Sequence, residues 1–373
     1  DVYKRQKQSD LTYIELKGDH LLKPWNNSLL KWSGAYSYAF YNEPDKRKYT
    51  VDNVTGDFKL QRAGNITRKW LESSEHGINF KPQLQIPFPI WQQQTARAYL
   101  GAGINYKHRR VYQRNLSYEQ GLTGSNDLLN SFTTVDDLIK DEHLVGLATN
   151  KNQLSLTEDP NFSYQGDILI VNGYFKLDLP VSEKIKLSTG LNYEFSKMNV
   201  FSYNVFTNEE NSTNLLRTNI LIPHNFLPSF NLAFSPIKKM NLRSSYSYSV
   251  ARPDFREAVD LFYVLNRGGA AVFGNTNLIQ TGIHSADLRF EIYPGRHNLF
   301  ALSGFYKFIE DPVEFLQLAP SSQDDIKYQF RNGVSAQNLG LEAELKLGFG
   351  FINKILNKLE LTGNFTYIWS AIE

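Results

Sequence analysis

The feature that most constrains this chain is a two-residue period. Over residues 185–196, Ile185, Leu187, Leu191, Tyr193 and Phe195 alternate with Lys186, Ser188, Gly190, Asn192, Glu194 and Ser196. Successive side chains of a strand point to opposite faces, so this segment has one greasy face and one wet face. The pattern returns at Leu242, Tyr246, Tyr248 and Val250, at Ala286, Leu288, Phe290 and Ile292, at Leu339, Leu341, Ala343, Leu345 and Leu347, and at Leu359, Leu361, Phe365, Tyr367 and Trp369. Each stretch runs for roughly ten residues, the length a tilted strand needs to cross a bilayer. Weaker copies at 10–17, 30–41, 66–86, 95–108, 164–179, 226–235 and 297–309 bring the expected total to about twelve strands.

Connection lengths separate a membrane barrel from a soluble sandwich. The turns near Ser182, Lys238 and Gly295 are short, whereas segments 109–163, 198–225, 252–281 and 310–337 are long, and the two kinds alternate. Short periplasmic turns and long extracellular loops are the mark of an outer-membrane barrel. The expected fold is therefore all-β: an antiparallel transmembrane β-barrel, here an incomplete set of about twelve up-and-down strands. Its long loops are centred near Asp127, Asn208, Gly268 and Ser322. Arg243, Asp287, Arg289, Glu291, Glu342, Glu344 and Lys346 all fall on the wet parity and are the lumen-facing candidates; facing lipid, a charge costs about 2–4 kcal/mol at mid-depth. Helical spacing of Leu128, Leu129, Phe132, Val135, Leu138 and Ile139 predicts a short helix in the longest loop, and another turn of helix is expected near 349–356.

Composition agrees. Mean hydropathy is -0.41 and no apolar run approaches 18 residues, which excludes spanning helices but not strands that are apolar at every second position. Aromatic residues make 14% of the chain, suiting membrane interfaces. Cysteine is absent, so thiolate zinc, disulfide and cysteine-nucleophile chemistry are excluded. A formal charge of +2 gives no reason to expect nucleic acid. No nucleophile elbow, zinc-protease helix or phosphate loop is present, so no catalytic residue and no cofactor is assigned. The acidic group Asp136, Asp137, Asp141 and Glu142 with His143 lacks the ligand spacing of a calcium loop, and no metal is assigned to it.

Three stretches go beyond patterning. Residues 247–257, Ser-Tyr-Ser-Val-Ala-Arg-Pro-Asp-Phe-Arg-Glu, are followed about twenty residues later by Gly274-Asn-Thr-Asn-Leu278 and then by Asp287-Leu-Arg-Phe-Glu-Ile-Tyr-Pro294. This series resembles TonB-dependent outer-membrane receptors, in which an Arg-Pro-x-Phe-Arg-Glu segment and a Gly-Asn-x-x-Leu segment recur in this order. Ser303-Gly-Phe-Tyr-Lys307, Asp311-Pro-Val-Glu314, Asn338-Leu-Gly-Leu-Glu-Ala-Glu344 and Asn42-Glu-Pro-Asp-Lys-Arg47 are similar to further pieces of the family. The likeness covers most of 10–373, the barrel-like region; residues 1–9 read as an artefactual or disordered leader.

The resemblance implies a receptor in the outer membrane of a Gram-negative bacterium. It would bind a scarce nutrient (siderophore-iron, cobalamin or an oligosaccharide) and import it with TonB-coupled energy. It also implies an N-terminal plug, a TonB-binding segment and further C-terminal strands outside this chain, which makes the chain a fragment expected to form an open sheet. Implied partners are outer-membrane lipid and lipopolysaccharide, the TonB complex and the ligand. The family-motif residues are Arg252, Pro253, Phe255, Arg256, Glu257, Gly274, Asn275 and Leu278, for which shaping a loop base weighs above ligand contact. Lys107-His-Arg-Arg110 with Arg114 reads as a solvated loop just past a strand, or as a grip on lipopolysaccharide phosphates or an anionic substrate. Trp91 and Tyr263 could stack on a sugar or serve a membrane belt. The alternatives are a passive porin or a secreted polysaccharide-binding β-protein.

Overall fold

A computed structural model describes residues 2–4, 6–49, 51–54, 57–60, 66–91, 94–120, 154–159, 163–203, 215–264, 271–295, 298–319, 326–351 and 354–373. Twelve long strands form one antiparallel sheet in chain order: β1 (Gln8–Leu22), β2 (Ser28–Tyr49), β3 (Ile66–Pro89), β4 (Thr95–Gln120), β5 (Ser163–Pro180), β6 (Ile185–Tyr203), β7 (His224–Phe234), β8 (Met240–Ala251), β9 (Thr281–Gly295), β10 (Asn298–Glu310), β11 (Ser335–Gly348) and β12 (Glu360–Ile372). Every strand pairs with its neighbours in sequence, so the connections fall alternately at the two ends of the sheet. Val2–Lys4 adds a short ladder to the far end of β2. Among the described residues no ladder joins β1 to β12, and the sheet is not closed. The only helical pieces described are 3-10 turns such as Phe349–Phe351 and Lys354–Lys358. None of the described helices is long and apolar enough to cross a membrane, which has no bearing on strands.

The alternation sets the register. One row of directly opposed residues runs Phe230, Tyr246, Ala286, Tyr306, Leu339, Trp369 across six strands. A slip of one residue in any of these strands would turn this row to the wet face. On β6, Leu191 and Tyr193 are 46% and 40% exposed, on the face opposite Glu194 and Ser196. Leu302, Leu288, Leu341 and Phe365 are exposed on the same side of the sheet, and no second layer covers them among the described residues. Such an apolar outer surface is stable against lipid rather than water. Near its far rim three Tyr–His pairs recur in one diagonal register: Tyr36 with His76 at 2.9 Å, Tyr193 with His224 at 2.7 Å and Tyr246 with His284 at 2.9 Å.

The short connections follow β1, β3, β5, β7, β9 and β11. In the first of them Asn26 and Asn27 take φ of 53° and 55°, a conformation Asn tolerates better than most residues. Trp91, in the connection after β3, donates its indole N–H to the Val181 carbonyl at 2.6 Å and so ties two short turns together. The long connections share the other end. Their expected centres Asp127, Asn208, Gly268 and Ser322, the expected helix at 128–139 and the acidic group 136–143 lie outside the described residues. Part of what read as loop is strand: β4 continues to Gln120 against Leu154–Asp159, and Leu215–Leu221 pairs with the end of β6.

Candidate functional site

The motif that follows β8 folds over the inner face, the side that bears the charged residues. Phe255, Ala258 and Val259 are buried against Val111 of β4, Tyr164 of β5 and Met198 and Val200 of β6. Gly166 makes this possible: a Cβ there would lie 2.7 Å from the Phe255 ring. Apolar burial of this kind is the main stabilising term for a segment with few hydrogen bonds of its own.

Polar contacts fix the loop's position. Arg252 pairs with Glu194 and donates from Nε to the Ser196 hydroxyl at 3.0 Å. Asp254 receives Arg109 Nη1 at 3.0 Å, and Arg109 Nε also donates to Glu75 at 2.6 Å. Residues 254–257 make one capped turn. Asp254 Oδ1 accepts the Arg256 N–H at 3.0 Å, and Glu257 Oε2 accepts the Asp254 N–H at 2.8 Å. The Glu257 half is that of a capping box, its carboxylate reaching back three residues to the Asp254 N–H, while Asp254 accepts the N–H two residues on as in an Asx turn. Burial pushes the Glu257 carboxyl above its usual range, the nearby Asp254 charge adds to this, and the Asp254 N–H opposes it.

The second motif closes over the first. A Cβ on Gly274 would fall 1.9 Å from the Val259 carbonyl oxygen, so only glycine lets the two segments meet. The Asn275 N–H donates to the Glu257 carbonyl at 2.7 Å, and its side-chain amide donates to the Phe330 carbonyl at 3.0 Å. Leu278, Val272 and Phe330 form a small core under a four-stranded cap built from Phe262–Val264, Ala271–Phe273, Lys327–Asn332 and Val313–Gln317. Of the eight motif residues, Pro253, Phe255, Gly274 and Leu278 are buried, and Arg256 is exposed. Its guanidinium lies over the Tyr263 ring, 3.4 Å from the centroid.

The lumen candidates form a second group nearer the short turns. Arg289 donates to Glu291 at 2.7 Å, to Glu344 at 2.9 Å and to Ser303 at 3.1 Å, and Arg243 lies 3.3 Å from Glu291. Asp287 accepts from Ser245 at 3.1 Å, and Lys346 pairs with Glu360 at 3.1 Å. Glu342 stands directly across the ladder from Ser303. A hollow of about 630 Å³ on this wall is lined by Arg97, Asp178, Lys186, Arg243, Asp287 and Arg289, among others.

The basic stretch at 107–114 requires a correction. It lies inside β4, not beyond a strand, and the pleat divides it. Lys107 and Arg109 face inward onto Glu75, whereas Arg114 lies over Trp70, 5.8 Å from the ring centroid. Arg109, which reaches Asp254 of the motif loop, and Glu75, which holds Arg109, are residues that sequence reasoning does not connect to that loop. A signal was present in the sequence: Met198 and Val200 put apolar side chains on the parity that is wet from Lys186 to Ser196.

The family described as TonB dependent receptor-like, beta-barrel matches residues 5–372. No curated protein matches the sequence. Solved structures with a similar fold include the ferric citrate transporter FecA in its unliganded form (TM-score 0.59, 10% identity, covering 99% of this chain and 43% of that one). The copper transporter OprC is similar as well (TM-score 0.58, 11% identity, 98% and 46%), as is the siderophore receptor PiuA from Acinetobacter baumannii (TM-score 0.57, 11% identity, 98% and 47%). The chain thus spans less than half the length of each, and at these identities the likeness speaks for the fold alone. With the family match running nearly end to end over an open antiparallel sheet that is apolar outside and charged within, this chain belongs to the TonB-dependent receptor β-barrel family.

Proposed function

We propose that the chain forms part of the wall and outer loops of an outer-membrane receptor that captures a scarce nutrient and imports it with energy delivered by a TonB complex. The observation that carries this reading is the motif loop, pinned across the inner face at the long-connection end, where a ligand entering from outside would arrive. In this reading the apolar outer face, from Leu191 to Trp369, contacts outer-membrane lipid. The phosphorylated headgroups of lipopolysaccharide meet the rim above it. The lumen charges give a wet inner wall along which a polar solute can move, and no chemistry is done on the ligand.

A deletion of the gene in its Gram-negative host tests this. Uptake of one growth-limiting nutrient is expected to fall to background and to return with the gene. Collapsing the proton gradient should abolish the restored uptake; uptake that survives the collapse points to a passive porin. A chain recovered in the soluble fraction points to the secreted alternative.

A further inference from the structure

We infer that Arg256 is the ligand-contacting cation of the motif loop, and that the ligand therefore carries a carboxylate or phosphate group. The inference rests on the uptake reading above. The two arginines of the motif are placed in opposite ways. Arg252 is consumed by structure, with Glu194 and Ser196 as its partners. Arg256 is exposed, and among the described residues no carboxylate pairs with its guanidinium. The two acidic neighbours in its turn are already engaged, Asp254 by Arg109 and Glu257 by the Asp254 N–H.

Arg256 is nevertheless held in place. Its backbone N–H is tied to Asp254, the preceding Phe255 is buried, and its guanidinium carbon lies over the Tyr263 ring, close enough for the two groups to stack. Stacking on an aromatic face leaves the edge N–H groups of a guanidinium free to form two parallel bonds to a carboxylate or phosphate. A fork already fixed in position loses less entropy on binding than a free surface arginine. The same contact disfavours a neutral sugar at this spot, because Arg256 already covers one face of the Tyr263 ring on which a sugar would stack.

The test uses the complete receptor in its host, with ferric citrate, a ferric tris-catecholate, cobalamin and maltoheptaose each supplied as the limiting nutrient. Growth should depend on the gene for ferric citrate or for cobalamin, the two that carry a carboxylate or a phosphate group. Arg256→Gln should then raise the half-maximal nutrient concentration at least tenfold, with Arg256→Lys losing less and the amount of folded receptor in the outer membrane unchanged. Gene dependence for maltoheptaose alone or for the tris-catecholate alone would overturn the inference, and so would an Arg256→Gln receptor that imports the charged nutrient at wild-type concentration. If the gene is dispensable for all four, the uptake reading falls and the inference with it.

Discussion

The inner face carries the same ion-pair chemistry at its two ends under opposite conditions. Near the short turns, the side chains of Arg289 and Glu344 are 32% and 37% exposed, and nothing described lies over them. Near the long connections, Arg252 and Glu194 are 13% and 15% exposed, because the loop carrying Arg252 folds back onto β6. Screened pairs of the first kind contribute about 0–1 kcal/mol each. For the second kind, deleting one partner strands a charge under cover, which costs about 3–5 kcal/mol when burial is complete. The wall can tolerate changes in its charges while the loop cannot, so the loop is the part whose shape is specified.

The largest expected effect breaks the apolar side of that contrast. Phe255→Ala removes the central side chain of the covered cluster, and aromatic truncations in a packed core cost about 3–5 kcal/mol. The loop should detach while the ladders of β9 to β11 remain. Hydrogen exchange is expected to quicken at least tenfold over residues 252–261 and stay unchanged at residues 298–310. Unchanged exchange in the loop would mean that Phe255 does not hold it.

A paired substitution sharpens the electrostatic side. Glu194→Ala should destabilise the loop by about 2 kcal/mol, below the fully buried figure because some solvent reaches the pair. Glu344→Ala should change stability by less than about 1 kcal/mol. Both can be read from exchange protection or from the temperature at which trypsin first cuts the loop after Arg256, since the Arg252-Pro253 bond resists trypsin. Equal losses in the two variants would show that cover does not distinguish the two ends.

The same contrast decides what could be read from sequence. The wall is legible because lipid demands an apolar side chain at every second residue, and Ile185 to Phe195 follow that demand at every outward position but Thr189. Beyond the bilayer the demand ends while the backbone ladder continues, so the pattern fades before the strand does. That is why Arg109 to Gln120 and Leu215 to Leu221 read as loop. The motif residues could be found in sequence, but their roles could not, since those depend on contacts such as Asp254 with Arg109, 145 positions apart. Only the switch of apolar parity at Met198 and Val200 betrayed that something covers the inner face there.

The smallest expected effect concerns pH and separates the capping box from the ion pairs around it. Glu257 has its carboxyl raised by burial above an ordinary value of 4.5, so the folded loop binds a proton more readily than the unfolded chain. Stability from this source is fully present below that ordinary value and is lost as pH rises through the folded one. Loop protection, corrected for intrinsic exchange, should therefore decline as pH increases upward from about 4.5. Glu257→Gln keeps an oxygen that can accept the Asp254 N–H but cannot ionise. In this variant that decline should flatten, and protection near neutral pH should match or slightly exceed that of the parent. A slope that persists in Glu257→Gln assigns the titration to another carboxylate and removes the burial of Glu257 from the forces that set the loop.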